Sequence, residues 1–139
     1  MIVLDTNVVS ELMRASPHPE VLAWLDVQPT STLFVTTITE AEIHTGVALL
    51  PEGRRRLGLQ AAAERVFGVM FDGRILPFDS AAAHTYASIA SDRRASGNPI
   101  SQADCQIAAI VRSLGASVAT RDVKGFGGCG IEVVNPWQQ

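Results

Sequence analysis

Met1-Ile2-Val3-Leu4-Asp5-Thr6-Asn7 is an apolar run that stops abruptly at a carboxylate and two small polar residues. Consecutive apolar side chains bounded by polar ones read as a strand buried on both faces, the mark of a central strand in a parallel sheet. Outward from it, helical and strand-like segments alternate. Residues 7–13 read as a short helix broken by Ser16-Pro17-His18-Pro19, and 20–27 as a second, with Val21, Leu22, Trp24 and Leu25 at helical spacing. Leu33–Thr36 is a strand, 37–50 a helix stopped by Pro51, and 52–71 another helix ending at the Asp72-Gly73 turn. Ile75–Leu76 gives a short strand, and Asp79 is placed as the N-cap of an Ala-rich helix reaching about residue 95. A helix over 101–114 follows, with Gly115 at its C′ position, then strands over 117–120 and 131–134. This alternation predicts a three-layer α/β/α sandwich around a mainly parallel sheet of about five strands, and a single domain over 1–139.

Composition sets further bounds. Of 139 residues, 47% are hydrophobic and 18% charged, which supports a packed core and excludes a disordered chain. A net charge of −3 means that nucleic-acid binding would need local basic patches or a bound cation. Cys105 and Cys129 fit no zinc spacing and read as small core hydrophobes. The unpaired reading of the cysteines makes a cytoplasmic setting the expectation; with a strand starting at Met1, no signal peptide is expected, and no apolar run approaches the roughly 18 residues of a membrane span.

In a parallel sheet, the carboxyl ends of strands share an edge with the N-termini of the connecting helices, and ligands bind there. Asp5 ends the first strand. Glu42 lies in the first turns of the helix after the second, Asp104 opens the helix leading to the fourth, and Asp122 comes two residues after the fourth. Two carboxylates about 4 Å apart repel by roughly 4 kcal/mol at an effective dielectric near 20. Such a gathering is tenable around a divalent cation, and oxygen donors without His or Cys suit Mg²⁺ or Mn²⁺ rather than zinc. That chemistry points to metal-assisted phosphodiester hydrolysis. Structural roles compete: Ser101-Gln102-Ala103-Asp104 fits a capping box, and so do Thr37-Ile38-Thr39-Glu40 and Thr39-Glu40-Ala41-Glu42. Spacing alone therefore leaves Glu40 and Glu42 as alternatives, and Asp122, in a surface loop, reads by default as merely solvated.

Ile2-Val3-Leu4-Asp5-Thr6-Asn7, Ile38-Thr39-Glu40-Ala41-Glu42-Ile43, Ala103-Asp104 with Ile107-Ala108-Ala109, Ala119-Thr120-Arg121-Asp122 and Val133-Val134-Asn135-Pro136-Trp137 together resemble the PIN-domain ribonucleases. More closely they resemble the VapC-type toxins of bacterial toxin–antitoxin pairs, including the FitB-like branch, over nearly the whole chain. The resemblance implies a Mg²⁺- or Mn²⁺-dependent endoribonuclease, homodimeric and held inactive by a cognate antitoxin, in some relatives within a larger toxin–antitoxin assembly. It assigns the catalytic, metal-holding acids as Asp5, Glu42, Asp104 and Asp122, leaving Glu40 a capping role. It also gives Thr6, Asn7 and Thr120 the task of orienting acids or holding waters. One departure stands out. Many relatives read Thr-Arg-Asn with an acid three residues later; here Asp122 takes the Asn position, as in the FitB-like branch, and Gly125 the later one.

Gly125-Phe126-Gly127-Gly128-Cys129-Gly130 matches GxGxxG but neither follows the first strand nor opens a helix with an acid beyond it, so it reads as turns near Asp122. His18, His44 and His84 form no metal spacing. Arg54-Arg55-Arg56 and Arg93-Arg94 are solvated helix faces or grips for RNA phosphates, and Arg121 either contacts substrate or pairs with the acids. Trp24, Phe67 and Phe71 read as core or interface; Leu12, Met13 and Trp24 are candidates for the antitoxin groove that the resemblance implies. Two other functions compete: a degenerate PIN domain that binds RNA or protein without cleaving, and a DNA-directed flap-type nuclease. The small size and the lack of a DNA-clamping insertion argue against the latter.

Overall fold

A computed structural model describes residues 1–138 and places Ile2–Leu4 (β1) at the middle of a five-stranded sheet. The chain continues through α1 (Thr6–Leu12), α2 (Pro19–Asp26), β2 (Leu33–Thr36), α3 (Thr37–Ala48), α4 (Arg54–Arg65) and β3 (Ile75–Leu76). It closes with α5 (Ser80–Ala95), α6 (Gln102–Ser113), β4 (Ser117–Ala119), α7 (Val123–Phe126) and β5 (Glu132–Val134). The strand order is β3-β2-β1-β4-β5, and every pairing is parallel, with Ile2 opposite both Leu33 and Ser117.

Successive strand side chains point to opposite faces, so β1 seeds two cores. Val3 packs among Ile89 of α5, Ile107, Ile110 and Val111 of α6, and Phe126 of α7. Leu4 packs on the other face among Val8, Val9, Val21, Trp24, Ile43, Phe67 and Phe71. Both β1 residues are fully buried, and each such burial stabilises by roughly 1.5–3 kcal/mol. Trp24 thus belongs to the core and is no spill-over onto a groove, whereas Leu12 and Met13 remain partly accessible. Both cysteines are free and buried, and burial pushes the Cys105 thiol up.

Three local features differ from the sequence reading. The helix expected over 52–71 starts at Arg54 and ends at Arg65; a π-helical turn, Val66–Met70, follows, closed by a bond from Phe71 N–H to Val66 O (2.9 Å). Gly68 and two β-branched valines weaken regular helix there, while Val66, Phe67 and Phe71 stay in the core. A short 3-10 turn, Thr30–Thr32, precedes β2. The segment after Asp122 is the small helix α7 rather than loop. Among the described residues, no helix is long and apolar enough to cross a membrane.

Candidate active site

The chain runs from β1 outward to β2 and β3 on one side, then returns through α5 and α6 to place β4 and β5 on the other. The carboxyl ends of β1 and β4 therefore adjoin where the connections diverge, the usual ligand crevice of such sheets. Asp5 sits there, its N–H donating to Ala119 O (2.9 Å) and its side chain capping α1. It is only 5% exposed. Its carboxylate accepts from Thr6 N–H (2.7 Å), Thr120 Oγ1 (2.7 Å) and Asn7 Nδ2 (3.1 Å). Thr120 is the hub, since its hydroxyl also accepts from Asn7 Nδ2 (3.2 Å) and Asp122 N–H (3.0 Å). Asn7 Oδ1 in turn accepts from Arg121 N–H (3.3 Å).

Burial pushes the Asp5 carboxyl up from 3.8 to about 6. The bonds from Thr120 and Thr6 pull the other way, and the charges of Asp104 and Glu42 push it up further. Replacing Thr120 with Val removes the bond that favours ionised Asp5. The acid limb of the pH–rate profile should then move to higher pH by roughly one unit, with about 1–2 kcal/mol lost in stability. A profile unmoved by Thr120→Val would refute that role.

Glu42 is exposed, its Oε1 accepting from Thr6 Oγ1 (2.7 Å), which also meets Thr39 Oγ1 (2.9 Å). The cap of α3 is Thr36, accepting from Thr39 N–H (3.1 Å). The helix begins one residue earlier than a Thr37 cap requires, so Glu40 falls at the fourth helical position and holds no capping place; that expectation is corrected. Ser101 caps α6 by accepting from Asp104 N–H (3.3 Å). No return bond from Ser101 N–H to the Asp104 carboxylate forms among the described residues, so that carboxylate is not spent on a capping box. Asp122 is exposed, caps α7, and accepts from Gly125 N–H (3.0 Å). A Cβ on residue 125 would stand 2.1 Å from Asp122 Oδ2. Glycine at 125 is what lets Asp122 fold back into that space.

Among the described residues no three His, Cys, Asp or Glu side chains already form a metal-holding group. The donor chemistry nevertheless fits a hard divalent cation. Asp5 is a carboxyl raised by burial, with two further acids adding to the rise, and all the donors are oxygens.

The arginines separate. Arg55 and Arg14 line one cleft of about 350 Å³ together with Glu42, Met13, Ile43 and Val47. Arg56 lines a different hollow beside Glu52, and Arg54 is exposed at the start of α4. Arg93 is buried and holds backbone carbonyls, so it is no phosphate grip, whereas Arg94 is exposed. His44 packs its ring on Phe67, 5.5 Å between centroids, and His18 caps α2. The sequence reading missed Thr39 and Arg14 as neighbours of Glu42. Thr39 was findable, since three residues along a helix is one face.

Residues 2–126 match the family described as PIN domain. The chain is 44% identical over 138 residues to "VapC ribonuclease Y4jK" of Sinorhizobium fredii, and 42% identical over 137 residues to "Toxin FitB" of Neisseria gonorrhoeae. Each alignment covers 99% of both chains. Among solved structures, "Structure of FitAB bound to IR36 DNA fragment" superposes with a TM-score of 0.92 at 42% identity, covering 100% of this chain and 97% of that one. A central β1 ending in a hydrogen-bonded aspartate at the switch point, a matched span that takes in β1 to α7, and relatives this similar end to end lead to one statement: the chain belongs to the PIN-domain family.

Proposed function

We propose that this chain is a metal-dependent endoribonuclease toxin, working as a single domain. The observation that carries the reading is the Asp5 carboxyl at the β1/β4 crevice, raised by its burial with Asp104 and Glu42 adding to the rise, and held by Thr120, Thr6 and Asn7. Asp5, Glu42, Asp104 and Asp122 would hold Mg²⁺ or Mn²⁺. When bound, such an ion makes water a better nucleophile and offsets charge on the leaving oxygen. The chain's own part is orientation. Thr120 and Asn7 orient the Asp5 carboxylate, Thr6 steadies Glu42, and Arg55, which lines the same cleft as Glu42, would meet RNA phosphates. The relatives named ribonuclease and toxin support the substrate class and the role. The reading includes a homodimer in the cytoplasm, silenced by a cognate antitoxin. Val27, Leu49, Leu57 and Val69 are exposed and supply apolar surface for such contacts.

The test pairs RNA cleavage with calorimetry of Mn²⁺. Chelation should abolish cleavage and added Mg²⁺ or Mn²⁺ restore it. Asp104→Asn should lower cleavage by about 100-fold or more and weaken Mn²⁺ binding. Cleavage that persists in chelator sinks the mechanism. The competing reading, a module that binds without cutting, draws on Asp122 being folded back onto Gly125. It predicts RNA binding with no metal-dependent cleavage.

A further inference from the structure

Arg121 stands at the mouth of the crevice, between Thr120 and Asp122 in the chain, exposed and with its backbone N–H bonded to Asn7 Oδ1 (3.3 Å). A guanidinium on a flexible stem so near several carboxylates would ordinarily settle on one of them. It does not. Among the described residues the one ion pair is Arg14–Glu11, and the Arg121 head lies over the indole of Trp137, 5.2 Å from the ring centroid. The indole is itself fixed. Thr120 N–H donates to Val134 O (2.9 Å), tying the end of β4 to the end of β5. Trp137 N–H then donates to Asn135 Oδ1 (2.9 Å) and Gln138 N–H to Asn135 O (3.1 Å), forming a turn that sets the ring beside Arg121. The ring is half-buried against the core cluster that contains Leu4 and Trp24.

We propose that Arg121 is a ligand for a phosphate of the RNA substrate, and that Trp137 is the positioning residue that holds it off the carboxylates. This deepens the ribonuclease reading and rests on it. Stacking on an aromatic face leaves the charge intact and the N–H edge of the guanidinium free for phosphate oxygens. An ion pair with Asp122 or Glu42 would instead neutralise the arginine and occupy an acid. The contact between Arg121 and Trp137 therefore keeps opposite charges separate until substrate arrives.

Binding of a short, fluorescein-labelled single-stranded RNA of mixed sequence, followed by anisotropy over a range of salt, tests this. The Asp5→Asn chain is used so that the RNA survives. Arg121→Ala should weaken binding by about tenfold and flatten the log–log salt slope by about 0.7, the loss of one phosphate contact on a single strand. Trp137→Ala should weaken binding by about threefold, and Trp137→Phe should retain most of it. On an Arg121→Ala background, Trp137→Ala should cost nothing further, because it acts through the arginine. Binding and slope unchanged by Arg121→Ala overturn the proposal, as do effects of the two substitutions that multiply. Should thermal melts show Trp137→Ala unfolded, Arg121→Ala and Trp137→Phe decide alone. Absence of both RNA binding and cleavage in the parent chain removes the ribonuclease reading itself, whereas binding indifferent to Arg121 removes only this inference.

Discussion

Asp5→Asn is expected to abolish RNA cleavage, on the order of 1,000-fold or more, and at the same time to raise the melting temperature of the metal-free chain near neutral pH. The sign follows from proton counting. The Asp5 carboxyl stands at about 6 in the folded chain against 3.8 for the free group. Between those values the folded state binds more protons than the unfolded one, so stability falls as pH rises through that window and stays lowered above it. A shift of that size corresponds to a deficit of about 3 kcal/mol at neutral pH. Asparagine cannot ionise and removes the deficit. It keeps an oxygen for Thr6 N–H but turns an amide toward both Asn7 Nδ2 and Thr120 Oγ1, which together give back about 2 kcal/mol. The net gain is about 1 kcal/mol, or a rise on the order of 3 °C. Thermal melts in chelator at about pH 7.5 and about pH 4 check it, since the gain should shrink at the lower pH, where folded Asp5 is protonated. An Asp5→Asn chain no more stable than the parent at the higher pH would contradict the argument.

Arg93→Ala should be the most destabilising charge removal in the molecule, by about 3–5 kcal/mol. Arg93 is 6% exposed and has no carboxylate partner. Its Nε donates to Asn98 O (2.7 Å), and its Nη1 to Gly125 O (3.0 Å), Gly127 O (2.9 Å) and Cys129 Sγ (3.3 Å). One side chain thus satisfies the turn after α5 and the C-terminal end of α7, and truncation strands three carbonyls beside a cavity. Because α7 is capped by Asp122, activity should fall along with stability. Arg94→Ala, at the exposed neighbour, should stay within about 0.5 kcal/mol. Urea unfolding of the two variants separates them, and a loss under about 1 kcal/mol for Arg93→Ala would show that its carbonyls find other donors.

Arg93 also shows what the sequence could reveal. Read as half of an Arg-Arg pair it looked like surface, yet Ala82, Ile89 and Arg93 share one buried stripe of α5 at helical spacing. The signal was present, and charge hid it. The central strand was plain because an apolar run ending in Asp has few other readings, and the crevice followed from alternation of elements. What stayed hidden was short or non-local. Four residues of α7 carry no periodicity, and the start of α3 differs by one position from the box that favoured Glu40. Trp137 meets Arg121 only because two parallel strands end side by side.

The hydrogen bond from Thr120 to Asp5 joins residues 115 positions apart. During synthesis the Asp5 strand emerges well before its neighbour β4 and the Thr120 hydroxyl that orients the carboxylate. The oriented crevice therefore does not exist before β4 and Thr120 have been made. Under the proposed function, a growing chain without β4 would not yet carry an oriented Asp5, and the order of translation itself would delay any attack on RNA.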